Sequence, residues 1–105
     1  MDKILLVEDN PGIYQSLVTN LELSGFAVQH APNLKDAAAA LAKGLPGLLI
    51  LDINLPDGNG LEFCLEIHAQ HPLLPVIMLT ARTDEKTAVE SLANGAVDFV
   101  RKPFG

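Results

Sequence analysis

The sequence predicts an α/β fold wound on both faces of a parallel sheet, and three observations carry that expectation. Short β-rich runs alternate with helical patterns from one end of the chain to the other, in the order βαβαβαβαβ. Such alternation makes parallel sheets joined by right-handed crossovers. Three of the runs, ILLV at 4–7, LLIL at 48–51 and VIML at 76–79, are apolar throughout, which suits strands covered on both sides. Polar residues follow these runs at once: Glu8 and Asp9, then Asp52, then Thr80.

Each element has its own warrant. The first strand is expected over Lys3–Val7. Asn10 then offers an N-cap with Pro11 at the first helical position. Ile13, Leu17 and Leu21 recur at intervals of four, and Gly25 closes the helix. A second strand follows over Ala27–Ala31, and Asn33 caps a second helix that carries AAAALA and ends near Gly44. The third strand, Leu48–Leu51, runs into Asp52 and the turn-rich INLPDGNG, where Asp57 and Gly58 read as turn formers. Asn59 with Glu62 resembles a capping box. Leu61, Leu65 and His68 line one face of the helix that follows, and Pro72 stops it. Val76–Leu79 is the fourth strand, Thr83 or Asp84 opens a fourth helix that Gly95 closes, and Asp98–Val100 is the fifth strand.

Length and composition bound the rest. At 105 residues the chain is one domain, and 49% hydrophobic content argues against disorder. Cys64 is the only cysteine, so no intrachain disulfide forms, which suits a reducing compartment. No apolar run approaches the roughly 20 residues of a membrane span. The opening MDKILLVEDN lacks the longer apolar stretch and cleavage site of a secretory leader. A cytoplasmic protein without a membrane partner is expected. The net charge of −6 disfavours direct nucleic-acid binding. His30, His68 and His71 show no metal-ligand spacing and read as surface or cap residues. Cys64 reads as packed on its helix, and Lys35, Lys43 and Lys86 as solvated charges.

Open α/β sheets bind ligands beyond the carboxyl ends of their strands. There the sequence sets Glu8 and Asp9, Asp52, Thr80 and Lys102, while the second strand contributes no comparable group. Taken singly, Glu8 and Asp9 suit a helix cap, Asp52 a turn and Thr80 an ordinary strand end. Together they suit chemistry. Three adjacent carboxylates repel one another, and a hard divalent cation such as Mg²⁺, which takes oxygen ligands and keeps water, relieves the conflict. The three negative charges are matched by Lys102 and Mg²⁺, which together carry three positive ones. A carboxylate so placed can attack a phosphoryl donor. The lysine and the metal offset charge on the transferring oxygens, and a hydroxyl such as that of Thr80 donates to one of them.

ILLVEDN, LDINLPDGNG, LTA and VRKPFG, in this order and at these spacings, make the chain resemble the receiver domain of two-component response regulators over all 105 residues. The resemblance implies a flavodoxin-like sandwich with a five-stranded parallel sheet in the order 2-1-3-4-5. It implies that Asp52 takes a phosphoryl group from the phosphohistidine of a sensor histidine kinase. Asp9 would coordinate Mg²⁺ directly, Glu8 mainly through water, and Asn54 through its backbone carbonyl, with Asp52 as a further ligand. Thr80 and Lys102 would contact the phosphoryl group. Thr80 and Phe99 would form a switch pair, although Phe99 also suits plain core packing. The bond before Pro103 would be cis. Glu8 stands where aspartate is commoner in the family, and Arg82, two residues after Thr80, would tune the phosphoryl lifetime. The chain would be a phosphoacceptor with its own phosphorylation and dephosphorylation chemistry, not an enzyme turning over a substrate. LPDGNGLEFC and FVRKPFG resemble the class with winged-helix outputs, so DNA would be reached only through an output domain outside this sequence.

Receivers carry a fifth helix after the KPF segment, and the sequence ends at Gly105. The expectation is therefore a receiver domain over 1–105, truncated before its last helix. Apolar surface around the last strand would be exposed, and a homodimer exchanging C-terminal elements would cover it. Two rival classes remain. A Mg²⁺-dependent phosphotransferase, a Toprim-like nuclease or a haloacid-dehalogenase phosphatase needs a second acid where this chain has DIN, with Asn54 in that place. A non-phosphorylated pseudo-receiver acting purely as an interaction module is the other, and the full set of site residues argues against it.

Overall fold

A computed structural model of the protein describes residues 3–80, Ala93 and 98–101, with Thr80 and 98–101 described by their strand backbone. Its elements are β1 (Lys3–Val7), α1 (Pro11–Leu23), β2 (Ala27–Ala31), α2 (Leu34–Lys43), β3 (Leu48–Asp52), β4 (Asn54–Leu55), β5 (Gly58–Asn59), α3 (Gly60–Gln70), β6 (Val76–Thr80) and β7 (Asp98–Arg101). The main sheet runs β2-β1-β3-β6-β7, and every pairing in it is parallel. Setting aside the short antiparallel ribbon β4-β5, this is the expected 2-1-3-4-5 order of a flavodoxin-like sandwich. Three strands run one residue beyond expectation, which places Asp52 and Thr80 inside the ladder. The expected fourth helix, Arg82, Lys102 and Pro103 lie outside the described residues.

The unbroken apolar runs serve two faces at once. Leu5, Val7, Leu49, Leu51, Val76 and Met78 alternate toward α2 and α3 and pack with Ala37, Leu41, Phe63, Cys64 and Ile67. Ile4, Leu6, Ile50 and Leu79 alternate to the other side, where Tyr14, Leu17, Val18 and Leu21 of α1 meet them. Each fully buried leucine contributes about 1.5–3 kcal/mol of transfer free energy. α1 has no fully buried residue, so its apolar stripe is half-covered.

Helix ends follow the sequence closely. The Asn10 side chain accepts from Gly12 N–H at 2.9 Å and Ile13 N–H at 3.3 Å, with Pro11 at the first helical position. α1 closes with Gly25 at φ +96°, where Gly25 N–H reaches Glu22 O and Phe26 N–H reaches Leu21 O. That bond pair is the Schellman arrangement, and its left-handed residue favours glycine. Asn33 accepts from Asp36 N–H at 2.7 Å to start α2. Asn59 caps α3 through Leu61 N–H at 2.7 Å, not through the third-position amide that a capping box uses.

The expected face of α3 needs correction. Gly60, Phe63, Cys64 and Ile67 are the buried positions, while Leu65 is 52% exposed. Apolar residues sit at helical spacing on two stripes, so periodicity alone does not choose between them. The choice is made where α3 begins, because Gly60 lies against the backbone of Asp52.

Candidate functional site

Strand alternation carries the site upward from the core. Ile4 and Leu6 face α1, and Glu8 continues that parity; Ile50 faces α1, and Asp52 continues it. Val7 is registered beside Leu51, so Glu8 and Asp52 come level at the carboxyl edge of adjacent strands. Carboxylate oxygens of Glu8, Asp9 and Asp52 all lie within 4.8 Å of one another. Glu8 is 0% and Asp52 4% exposed, whereas Asp9 faces solvent. Enclosing carboxylates beside one another is costly unless something compensates their charge. Three hard oxygen donors with one open side fit a hydrated Mg²⁺, and the residues present suit that ion.

The loop that carries the acids is pinned from several directions. Glu8 N–H donates to Ala31 O at 3.1 Å, and Glu8 Oε1 accepts from Asn10 N–H at 3.1 Å. The His30 ring Nε2 lies 2.6 Å from the Glu8 carbonyl oxygen. A carbonyl only accepts, so Nε2 carries the proton of this bond. The same ring stacks on Tyr14, with centroids 3.8 Å apart and planes at 20°. His30 is therefore not a surface or cap residue, and the second strand does contribute a polar group at this edge. Parity marks it, since Val28 faces α1 and His30 lies two residues further along the strand. His71 is the C-cap of α3, as expected, and His68 is half-buried near that end.

Beyond Asp52 the chain turns sharply. Gly60 N–H donates to Ile53 O at 2.7 Å. A Cβ at Gly60 would overlap the Asp52 carbonyl oxygen and lie 2.9 Å from its carbon. Asn54 is exposed and opens β4, which pairs with β5 across a Pro56-Asp57 turn. Asp57 does more than turn the chain. Its two carboxylate oxygens accept from Leu34 N–H at 2.8 Å and Lys35 N–H at 2.9 Å, at the start of α2. The Leu34 amide is the main cause that holds the Asp57 carboxyl below its ordinary range. Neither Gly60 nor the α2 role of Asp57 was legible in the motif, because both depend on residues distant in sequence.

The remaining expected residues are placed by register. Asp52 pairs with Leu79, Thr80 is the next residue of β6 and is registered with Arg101, and Phe99 is registered with Met78. Residues 4–105 match the family model for the response regulator receiver domain. The chain belongs to the response regulator receiver family. This receiver is 42% identical over 103 residues to the transcriptional regulatory protein CreB of Escherichia coli, covering 98% of this chain and 45% of CreB. It is 44% identical to the phosphate regulon regulatory protein PhoB of Rhizobium meliloti, covering 99% of this chain and 47% of PhoB. The receiver thus spans about half the length of these relatives. A two-component response regulator from Clostridium difficile superimposes with a TM-score of 0.94 at 26% identity, covering all of this chain and 86% of its own. The beryllofluoride-activated NtrC4 receiver domain dimer gives 0.93 at 32% identity, covering all of this chain and 87% of its own. The family is a signalling module of two-component systems, and the phosphotransferase and pseudo-receiver alternatives are not favoured. No helix among the described residues is long and apolar enough to cross a membrane.

Proposed function

We propose that this receiver takes a phosphoryl group on Asp52 from the phosphohistidine of a sensor histidine kinase. The observation that carries the reading is the trio of Glu8, Asp9 and Asp52 oxygens within 4.8 Å at the carboxyl edge of the sheet. An Asp52 carboxylate oxygen attacks phosphorus, the phosphorus–nitrogen bond breaks, and the released imidazole nitrogen takes a proton. Glu8, Asp9, Asp52 and the Asn54 backbone carbonyl are the groups that would hold Mg²⁺. When bound, the ion offsets charge on the carboxylates and on the phosphoryl oxygens. Glu8, enclosed and engaged by Asn10 N–H, suits a role through water, and exposed Asp9 suits direct coordination. Asp52 is 4% exposed, which holds its carboxylate in a fixed place for in-line attack.

The finer roles follow the family pattern. Lys102 neutralises a phosphoryl oxygen, Thr80 donates to another, Thr80 and Phe99 relay occupancy to the surface, and Arg82 tunes the lifetime. The peptide bond before Pro103 is assigned cis, and the receiver unit is assigned to residues 1–105. The output is a change of partner surface that leads to a homodimer, in line with the dimer named for NtrC4. DNA is reached through an output domain, in line with the regulators named above. The enclosed Cys64 thiol, which is in no disulfide, suits a cytoplasmic setting. The test is incubation with acetyl phosphate and Mg²⁺ followed by intact mass. One phosphoryl adduct on the wild type and none on Asp52→Asn are expected. An adduct that persists in Asp52→Asn, or none on the folded wild type, defeats the reading.

A further inference from the structure

One side chain outside the receiver motifs closes a ring of contacts around the acidic loop. The path runs from Glu8 through Asn10, which caps α1, to Tyr14 in the first turns of that helix. Tyr14 stacks on His30, and His30 returns to the Glu8 carbonyl at 2.6 Å. The ladder bond from Glu8 N–H to Ala31 O already ties β1 to β2 at this level. The His30 bond adds a second hold, made by a side chain 22 residues away. It also acts on a different peptide. The Glu8 carbonyl shares its plane with the Asp9 N–H, so fixing that oxygen fixes the direction in which Asp9 leaves the strand.

We propose that His30 is a positioning residue for the Mg²⁺ site, holding the Glu8–Asp9 peptide so that the Asp9 carboxylate converges with those of Glu8 and Asp52. The proposal rests on the phosphoacceptor reading and deepens it. Asp9 is the exposed member of the trio, and its carboxylate has the most freedom to leave. A peptide held on its carbonyl side presents that carboxylate with less ordering left for the ion to impose. Groups that orient metal ligands in this way typically cost 10–100-fold in metal affinity when removed. Tyr14 keeps the imidazole edge-on to the carbonyl by stacking on its face.

Three substitutions separate the bond from the packing. His30→Phe keeps a ring on Tyr14 and removes the donor. His30→Gln keeps a donor at the reach of Nε2 and removes the ring. His30→Asn carries the same amide one methylene short. Mg²⁺ binding is followed by calorimetry and by the fluorescence of Tyr14, the single tyrosine of a chain without tryptophan. Phosphorylation by acetyl phosphate is then measured across a Mg²⁺ series. His30→Phe is expected to raise the Mg²⁺ Kd about tenfold, with a phosphorylation deficit that narrows as Mg²⁺ rises, and His30→Gln to restore most of the affinity. Should His30→Phe fail to fold, the Gln variant is expected to bind Mg²⁺ more tightly than the Asn variant. A wild-type Kd in His30→Phe, or Gln binding no better than Phe or Asn, overturns the assignment and leaves the phosphoacceptor reading standing. A folded wild type that takes up no Mg²⁺ overturns both.

Discussion

Gly60 shows how one residue couples helix packing to the strand end that carries Asp52. It donates to Ile53 O and leaves no room for a side chain against the Asp52 carbonyl. A methyl group there meets backbone, which cannot rotate away. Gly60→Ala is expected to lower stability by about 1–3 kcal/mol, the usual cost of overpacking, and to slow phosphorylation of Asp52 by displacing it. Urea unfolding and the acetyl phosphate assay check the two effects, and a variant matching wild type in both removes the steric account. The acidic trio was legible because ILLVEDN and LDIN announce strand ends. Gly60 was not, because its constraint comes from a backbone seven or more residues earlier. His30 lay within reach of a parity count from Val28 but carried no spacing that named it a ligand.

Among the elements, the ribbon β4-β5 is the one whose role exceeds its size. Its turn residue Asp57 caps α2 from outside that helix, so the segment after Asp52 and the start of α2 are held as one piece. The carboxylate also sits where the positive end of the helix dipole favours it. The folded carboxyl is held below its ordinary 3.8 by the Leu34 amide first, with the Lys35 amide adding to it. A depressed folded value means that the contribution is present above the unfolded pKa and is lost as pH falls through the folded one. Asp57→Ala is therefore expected to unfold at lower urea than wild type at neutral pH, and the gap is expected to close in strong acid. A gap that persists unchanged below the carboxylate range refutes the charge argument. Of the helix signals, Asn10, Asn33 and Asn59 all proved to be caps, since a cap is a local bond readable from a few residues. The buried stripe of α3 was misread, because its choice of face is tertiary.

At the scale of the whole molecule, alternation in apolar strands fixes two cores on either side of one sheet. This much was in the sequence, since unbroken apolar runs announce double coverage. Cys64 is buried at 0% exposure in the larger core, which also holds Leu49, Leu51 and Met78, and burial pushes its thiol above the ordinary value. Its reaction with a thiol reagent is therefore expected to require global opening. The labelling rate should rise with urea in step with unfolding of the sheet. Rapid labelling under native conditions means that this face opens locally.

The strand order has a consequence for how the chain is made. β1 is synthesised first yet ends between β2 and β3, registered with Leu48–Leu51 on one side. As the nascent polypeptide leaves the ribosome, ILLV stays without its inner neighbour until those leucines emerge. At roughly 5–20 residues per second, that delay lasts seconds. In that interval this apolar stretch has β2, α1 and α2 to shelter it but not β3, which places the demand for chaperone protection early in translation.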